Sequence, residues 1–196
     1  MTLRRAGRVP IVGRMNTRPM RGFTLTEAVV TLAAASTLLS VGVSTLGDLV
    51  HGLRLGALSN DVLQHLQLAR SEAIKRNGRM ALCKSIDGEN CAVGGGWEQG
   101  WLLFQDMNNN GAREPHEPVL QRLEPLPPQF LLKANNPLAR YVSYGPMGVT
   151  MMASGAFQAG TFTLCRISAG PVEGRQIIIN AGGRPRSQKV QLENCL

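Results

Sequence analysis

The chain has 196 residues, of which 43% are hydrophobic and only 5% aromatic, and this length suits one modest core plus an anchor better than a large multidomain assembly. Its formal charge of +8 suggests a nucleic-acid-binding globule until the charges are placed: Arg4, Arg5, Arg8, Arg14, Arg18 and Arg21 all lie in residues 1–22, which carry no acid. Residues 23–196 hold 15 basic and 13 acidic side chains, so the overall basicity belongs to a short N-terminal arm and not to a basic domain.

The segment after that arm is free of charge from Ala28 to Gly47. About 20 such residues, coiled as a helix, match a hydrocarbon core of roughly 30 Å. Arginines preceding a span stay on the cytoplasmic side, which would leave the rest of the chain in a periplasm-like compartment. A secretory signal has a shorter apolar core and a small-residue cleavage site, and no such site follows Leu46. A plain signal anchor is the stronger alternative. Glu27 argues against either, because a carboxylate at the edge of an apolar span is costly unless paired. Cleavage between Gly22 and Phe23 would create an ammonium group four residues before Glu27, within reach on one helix face or between neighbouring chains.

Arg21-Gly22-Phe23-Thr24-Leu25-Thr26-Glu27 resembles the prepilin peptidase site of type IV pilins and type II secretion pseudopilins. The resemblance implies cleavage after Gly22, N-methylation of Phe23 and use of Glu27 to dock an incoming subunit. Many of these proteins have a proline about 22 residues into the mature helix; this chain has Ser44 there, with Gly42 and Gly47 on either side.

Further along, Leu55, Leu58, Val62, Leu66, Ala69 and Ala73 step by three and four residues, the period of an apolar helix face. Asn77-Gly78 supplies a stop, since both tolerate left-handed backbone. Short β-type runs follow at Met80–Cys83, Trp101–Gln105, Val119–Leu123, Phe130–Lys133, Arg140–Tyr144, Thr161–Ile167, Arg175–Asn180 and Ser187–Leu192, separated by Gly-, Asn- and Pro-rich turns. A long N-terminal transmembrane and amphipathic helix packed on an antiparallel sheet is the expected α+β architecture. The predicted division is a cleaved leader over 1–22, a transmembrane helix over 23–50 and a periplasmic globule over 51–196, helical to residue 78 and β-rich from 79.

The run Leu68–Asn77, then Leu82-Cys83, Asp87-Gly88, Cys91, Trp97-x-x-Gly100-Trp101, Phe104-x-Asp106-x-Asn108 and Gly183-Arg184-x-Arg186, resembles the GspH/FimT branch of minor pseudopilins and minor pilins. The resemblance extends from Arg21 onward. It implies a low-copy subunit that helps prime or cap a type IV pilus or a type II secretion pseudopilus. Its partners would be other pilin-like subunits, the prepilin peptidase and the bacterial inner membrane.

Four cysteines fit export to an oxidising compartment. Cys83 and Cys91 flank an Asp-Gly turn, and Cys165 and Cys195 would then pair, although sequence leaves three connectivities open. No CxxC or Cys/His cluster favours zinc. His51, His65 and His116 sit in separate segments and no nucleophile has a recognisable base, so the chain does not read as an enzyme. Asp106, Asn108, Asn110, Gly111 and Glu117 satisfy the spacing of a calcium loop, with an Asn/Gly-rich turn as the alternative.

Residues 160–196 carry Arg166, Arg175, Arg184, Arg186 and Lys189 against Glu173 and Glu193, whereas residues 23–159 have 10 basic and 11 acidic groups. Arg184 and Arg186 are two apart and would share one side of a strand. Pro185 marks that strand as an edge. T-type minor pilins resembling this chain use such a Gly-Arg-x-Arg tail to capture double-stranded DNA in natural transformation. The simpler reading is a solvated basic edge that discourages strand pairing.

Overall fold

In the computed structural model, residues 22–196 are described, apart from the side chains of residues 38, 40–45 and 48. The arginine-rich leader expected over 1–22 therefore lies outside the described residues, save Gly22. The chain divides into two compact units, residues 1–45 and 46–196.

Helix α1 (Leu25–Arg76) is long because it contains no proline and carries a cap at each end. At its start the Thr24 hydroxyl accepts the Glu27 backbone N–H at 3.3 Å, an N-cap three residues before an acid in the first turn. At its end Asn77 turns left-handed at φ 48°, and its N–H and that of Gly78 donate to the carbonyls of Ile74 and Ala73. Lys75 and Arg76 in the last turn complement the helix dipole and pair with Glu72.

The first unit is represented by the beginning of this helix, where Phe23, Leu25, Val29, Val30, Leu32 and Leu39 are all exposed. Among the described residues no helix is long and apolar enough to cross a membrane. The middle of the charge-free stretch, residues 40–45, lies outside the described side chains.

In the second unit, the remainder of α1 buries Leu55, Val62, Leu66, Ala69 and Ala73. Eight strands follow: β1 (Met80–Lys84), β2 (Trp101–Gln105), β3 (Val119–Leu123), β4 (Phe130–Ala134), β5 (Tyr141–Tyr144), β6 (Gly160–Arg166), β7 (Val172–Ile179) and β8 (Pro185–Leu192). They form two four-stranded antiparallel sheets, ordered β3-β2-β1-β5 and β4-β6-β7-β8, where the sequence suggested one. Alternating apolar residues identify a strand but not its partner. Here β5 returns to β1, with Met80 opposite Tyr144, while β4 leaves to pair with β6, with Phe130 opposite Arg166.

The helix stripe meets both sheets in a common core that includes Met80, Leu103 and Tyr144 from the first and Phe162, Leu164 and Ile177 from the second. Trp97 lies between them, edge-on to Phe162 at 5.1 Å and donating its indole N–H to the Leu138 carbonyl. A smaller cluster of Ala81, Cys83, Leu102 and Phe104 fills the opposite side of the first sheet, under Cys91, Val119 and Tyr141. Strands β1 and β2 are thus covered on both faces, which explains their continuous apolar runs.

Buried Gln158 ties the segment after β5 to its neighbours. Its carbonyl oxygen accepts from the Ser143 N–H, and its amide donates to the carbonyls of Pro137 and Tyr141. His65 is half-buried on the helix, edge-on to Trp101 at 5.7 Å. Burial pushes its pKa below the ordinary 6.5, against the opposing field of Asp61. The unfolded chain then binds the proton more readily, so His65 costs stability as pH falls from about 6.5 towards its folded value. The unfolding free energy should drop across that window in the parent, and His65→Gln should remove that part of the drop. Equal pH profiles for the two proteins would refute the assignment.

Candidate functional site

The sequence-selected residues fall in three places. At the N-terminal junction, Gly22, Phe23 and Glu27 are all exposed, and adding a Cβ to Gly22 would meet nothing within 4 Å. The peptide bond between Gly22 and Phe23 therefore lies in open backbone just ahead of the helix. Thr24 lies on the Phe23 side of that bond, so the N-cap would survive a cut there.

The five C-terminal cations do not form one patch. In β7 and β8, Arg175 stands opposite Lys189 and Ile177 opposite Ser187, whereas Ile178 stands opposite Arg186. Alternation places Arg175 and Lys189 on the face of buried Ile177 and Ile179, which is the helix side, since Ser187 meets Ser59 at 2.8 Å. Both lie 3.6 Å from the same Glu173 oxygen. Arg166, at the end of β6, approaches His51 of α1 at 3.1 Å. Arg186 lies on the opposite face with Gln188 and Gln176, joined through side-chain hydrogen bonds. A count of positive residues along the chain cannot reveal this split, because it depends on strand parity and pairing.

Arg184 and Arg186 are exposed and form no ion pair with the described residues. Strand β8 is an edge and begins at Pro185, whose missing N–H suits that position. The preceding turn is built by Asn180. Its backbone carbonyl accepts the Gly183 N–H, and its side-chain oxygen accepts the Arg184 N–H at 3.2 Å. Gly183 is buried at φ 71°, and a Cβ there would overlap the Gly148 carbonyl oxygen. The glycine of the Gly-Arg-x-Arg run thus has a packing role, which sets where the arginines emerge.

In the third place, the loop between β2 and β3, Asp106 and Glu117 are both 1% exposed. Asp106 accepts the N–H groups of Asn110 and Gly111, and Glu117 accepts those of Met107 and Glu114. Asn108 and Asn110 accept from the Asn110 and Ala112 N–H groups, and donate their amides to Glu114. Burial pushes both the Asp106 and Glu117 carboxyls above their ordinary pKa despite these bonds. Every side-chain oxygen expected to ligate calcium thus already accepts a backbone N–H. Among the described residues no group of three or more His, Cys, Asp or Glu side chains is arranged to hold a metal ion.

The cysteines form two disulfides, Cys83–Cys91 and Cys165–Cys195, and none is free for zinc. The histidines stay apart: His51 by Arg166, His65 against Trp101, and His116 on the 106–117 loop, where it is exposed.

Residues 58–183 match the model of the family described as type II transport protein GspH. No curated protein matches the chain significantly. The fold is similar to that of the type IV minor pilin FimU of Pseudomonas aeruginosa, seen in two crystal forms at 17% identity. In one the match has a TM-score of 0.50 and covers 72% of this chain and all of the other; in the second it has a TM-score of 0.52 and covers 73% and 96%. The minor pseudopilin EpsH from the type 2 secretion system of Vibrio cholerae aligns at 13% identity over 68% of this chain and 95% of its own, with a TM-score of 0.46.

Proposed function

Since this chain belongs to the GspH family of type II transport proteins, we propose that it acts as a minor subunit that primes or caps a type IV pilus or a type II secretion pseudopilus. The observation that carries this reading is the row of uncovered apolar side chains, among the described residues, just before and along the first half of α1. Phe23, Leu25 and Leu32 are each more than 70% exposed, and Leu46, Leu49 and Leu53 are also bare, whereas the same helix beyond Leu55 is packed into a core. Such a surface is not stable in water and calls for lipid first and neighbouring helices later.

On this reading the leader is removed after Gly22 in the bacterial inner membrane, Phe23 becomes the N-methylated terminus, and Glu27 meets the terminal ammonium of an adjacent subunit. The globule faces the periplasm and the protein has no catalytic role. Intact mass of the membrane-extracted chain tests the reading: residues 1–22 should be missing and one methyl group present on Phe23. A chain recovered from filaments with its leader intact would overturn it.

A second reading, a pilus-borne DNA receptor, is favoured by one observation: Arg184, just before the edge strand β8, and Arg186, within it, are both exposed and without ion-pair partners among the described residues. Guanidinium groups so placed suit phosphates. Binding of double-stranded DNA by the detergent-solubilised chain should be independent of sequence and weakened by salt. Arg184→Ala combined with Arg186→Ala should reduce the salt slope by about 1.8, two phosphate contacts' worth. If parent and double variant bind equally in a gel shift at low salt, the arginines play no such part.

A further inference from the structure

We propose that the end of the globule at which α1 enters it, rimmed by Arg54, Arg166 and Ile167, rests in the headgroup layer of a phospholipid bilayer before the subunit joins a filament. The inference rests on the reading of the chain as membrane-anchored and names a lipid surface as the partner of its globule.

Contacts along α1 act as a ruler for the second unit. His51 meets Arg166 at the end of β6, Ser59 meets Ser187 of β8, and Arg70 donates to the Gly148 carbonyl. The end of β6 and the turn after it therefore lie towards the start of the unit's helical segment. On the N-terminal side of His51 that segment is bare: Leu46, Leu49 and Val50 are exposed, as is Leu53 just after it. The globule thus has a defined rim at the level of His51.

That level matches the thickness of a bilayer. The charge-free run ends at Gly47, and Asp48, His51 and Arg54 are the first ionisable residues after it. His51 is 28 residues beyond Phe23. A helix of that length rises about 42 Å, against roughly 40–45 Å for a hydrocarbon core with both headgroup layers.

The chemistry of the rim suits phosphodiesters. Arg54 and Arg166 flank Phe130, each lining a different groove beside α1. Both are exposed; Arg54 has no hydrogen bond or ion pair among the described residues, and Arg166 uses one nitrogen on His51 Nε2. Their remaining donors are free to fork onto phosphate oxygens, and cations just outside a span are drawn to anionic headgroups. Glu173, the acid in the same groove as Arg166, is already engaged by Arg175 and Lys189 at 3.6 Å. Ile167 is 46% exposed and its N–H is spent on the Gln129 carbonyl, so it offers an apolar side chain to the layer beneath the phosphates.

Tryptophan fluorescence of the full chain tests this, in nanodiscs of phosphatidylethanolamine and phosphatidylglycerol doped with a headgroup-nitroxide lipid. Ile167→Trp should be quenched well above the background of buried Trp97 and Trp101. Phe157→Trp, at an exposed site paired with Met151 beyond the Gly148 turn, should not be. Arg54→Glu combined with Arg166→Glu should bring the signal from position 167 down to that control, and the paired lysine replacements should retain it. No quenching at 167, equal quenching at 157, or no loss in the double glutamate variant would overturn the proposal. So would shielding of position 167 from aqueous iodide only in assembled filaments, which points to a neighbouring subunit instead. Leu32→Trp with an acyl-chain bromolipid reports the anchor separately: if it is quenched while position 167 is not, the chain spans the bilayer and the lipid contact of the globule alone is lost.

Discussion

Gly183→Ala should lower the unfolding free energy by about 3 kcal/mol, whereas Gly182→Ala next to it should change it by less than about 0.5 kcal/mol. Gly183 sits at φ 71°, a region that disfavours any side chain by roughly 1–2 kcal/mol. Its new methyl group would also overlap the Gly148 carbonyl, and backbone cannot step aside as a flexible side chain can. At position 182 the nearest neighbour is the Asn180 side-chain oxygen at 3.5 Å, an ordinary contact. For a globule of this size the difference corresponds to a gap of roughly 6–12 °C in Tm, read by circular dichroism or calorimetry. Equal melting of the two variants would show that the turn can relax, and that Gly183 is not what positions Arg184. The carbonyl it approaches also accepts Arg70 Nε of α1 at 2.9 Å, so the strain would be transmitted to the helix.

Removing the Cys165–Cys195 disulfide should have an effect of similar size by a different route. Its closed loop spans 30 residues, for which restriction of the unfolded chain is worth about 3–4 kcal/mol. The Cys83–Cys91 loop spans only 8, worth about 2.5 kcal/mol on the same account. Paired serine replacements at 165 and 195 should therefore shift the urea midpoint further than those at 83 and 91, by roughly 1 M or less in the difference. The longer tether also holds the two backbone hydrogen bonds between Ser168 and Cys195, close to the end of the chain. The reverse ranking would mean that native-state strain or residual unfolded structure outweighs loop entropy.

The sequence was most informative where a local rule acts alone. The helix stop at Asn77-Gly78, the buried stripe from Leu55 to Ala73 and the edge character of the Pro185 strand each follow from one residue's backbone preference or from a period of 3.6 or 2. Strand positions were legible to within a few residues for the same reason. Pairing was not: nothing in Phe130–Ala134 says that it joins Gly160–Arg166 and not Val119–Leu123, and so one expected sheet became two. The cation cluster failed similarly, since Arg175 and Arg186 are assigned to opposite faces only once Lys189 and Ile178 are known to stand opposite them. Gln158 carried no sequence signal, because its hydrogen-bond partners lie 15 to 21 residues away in the chain. The calcium-type spacing of the 106–117 loop carries two meanings at once. Asp, Asn and Gly at these spacings serve a cation or the loop's own backbone equally well, and here the oxygens accept N–H groups.

The two disulfides also impose a timetable. A polypeptide that emerges N-terminus first can oxidise the 83–91 pair once position 91 is clear of the channel, while β2 and its partners are still behind it. The 165–195 bond must wait for position 195, when both sheets have all their strands available. Pulse-labelled material trapped by a thiol-blocking reagent should accordingly contain a species with one bond formed and two thiols free. Its accumulation would report directly on how quickly the second half of the globule is delivered.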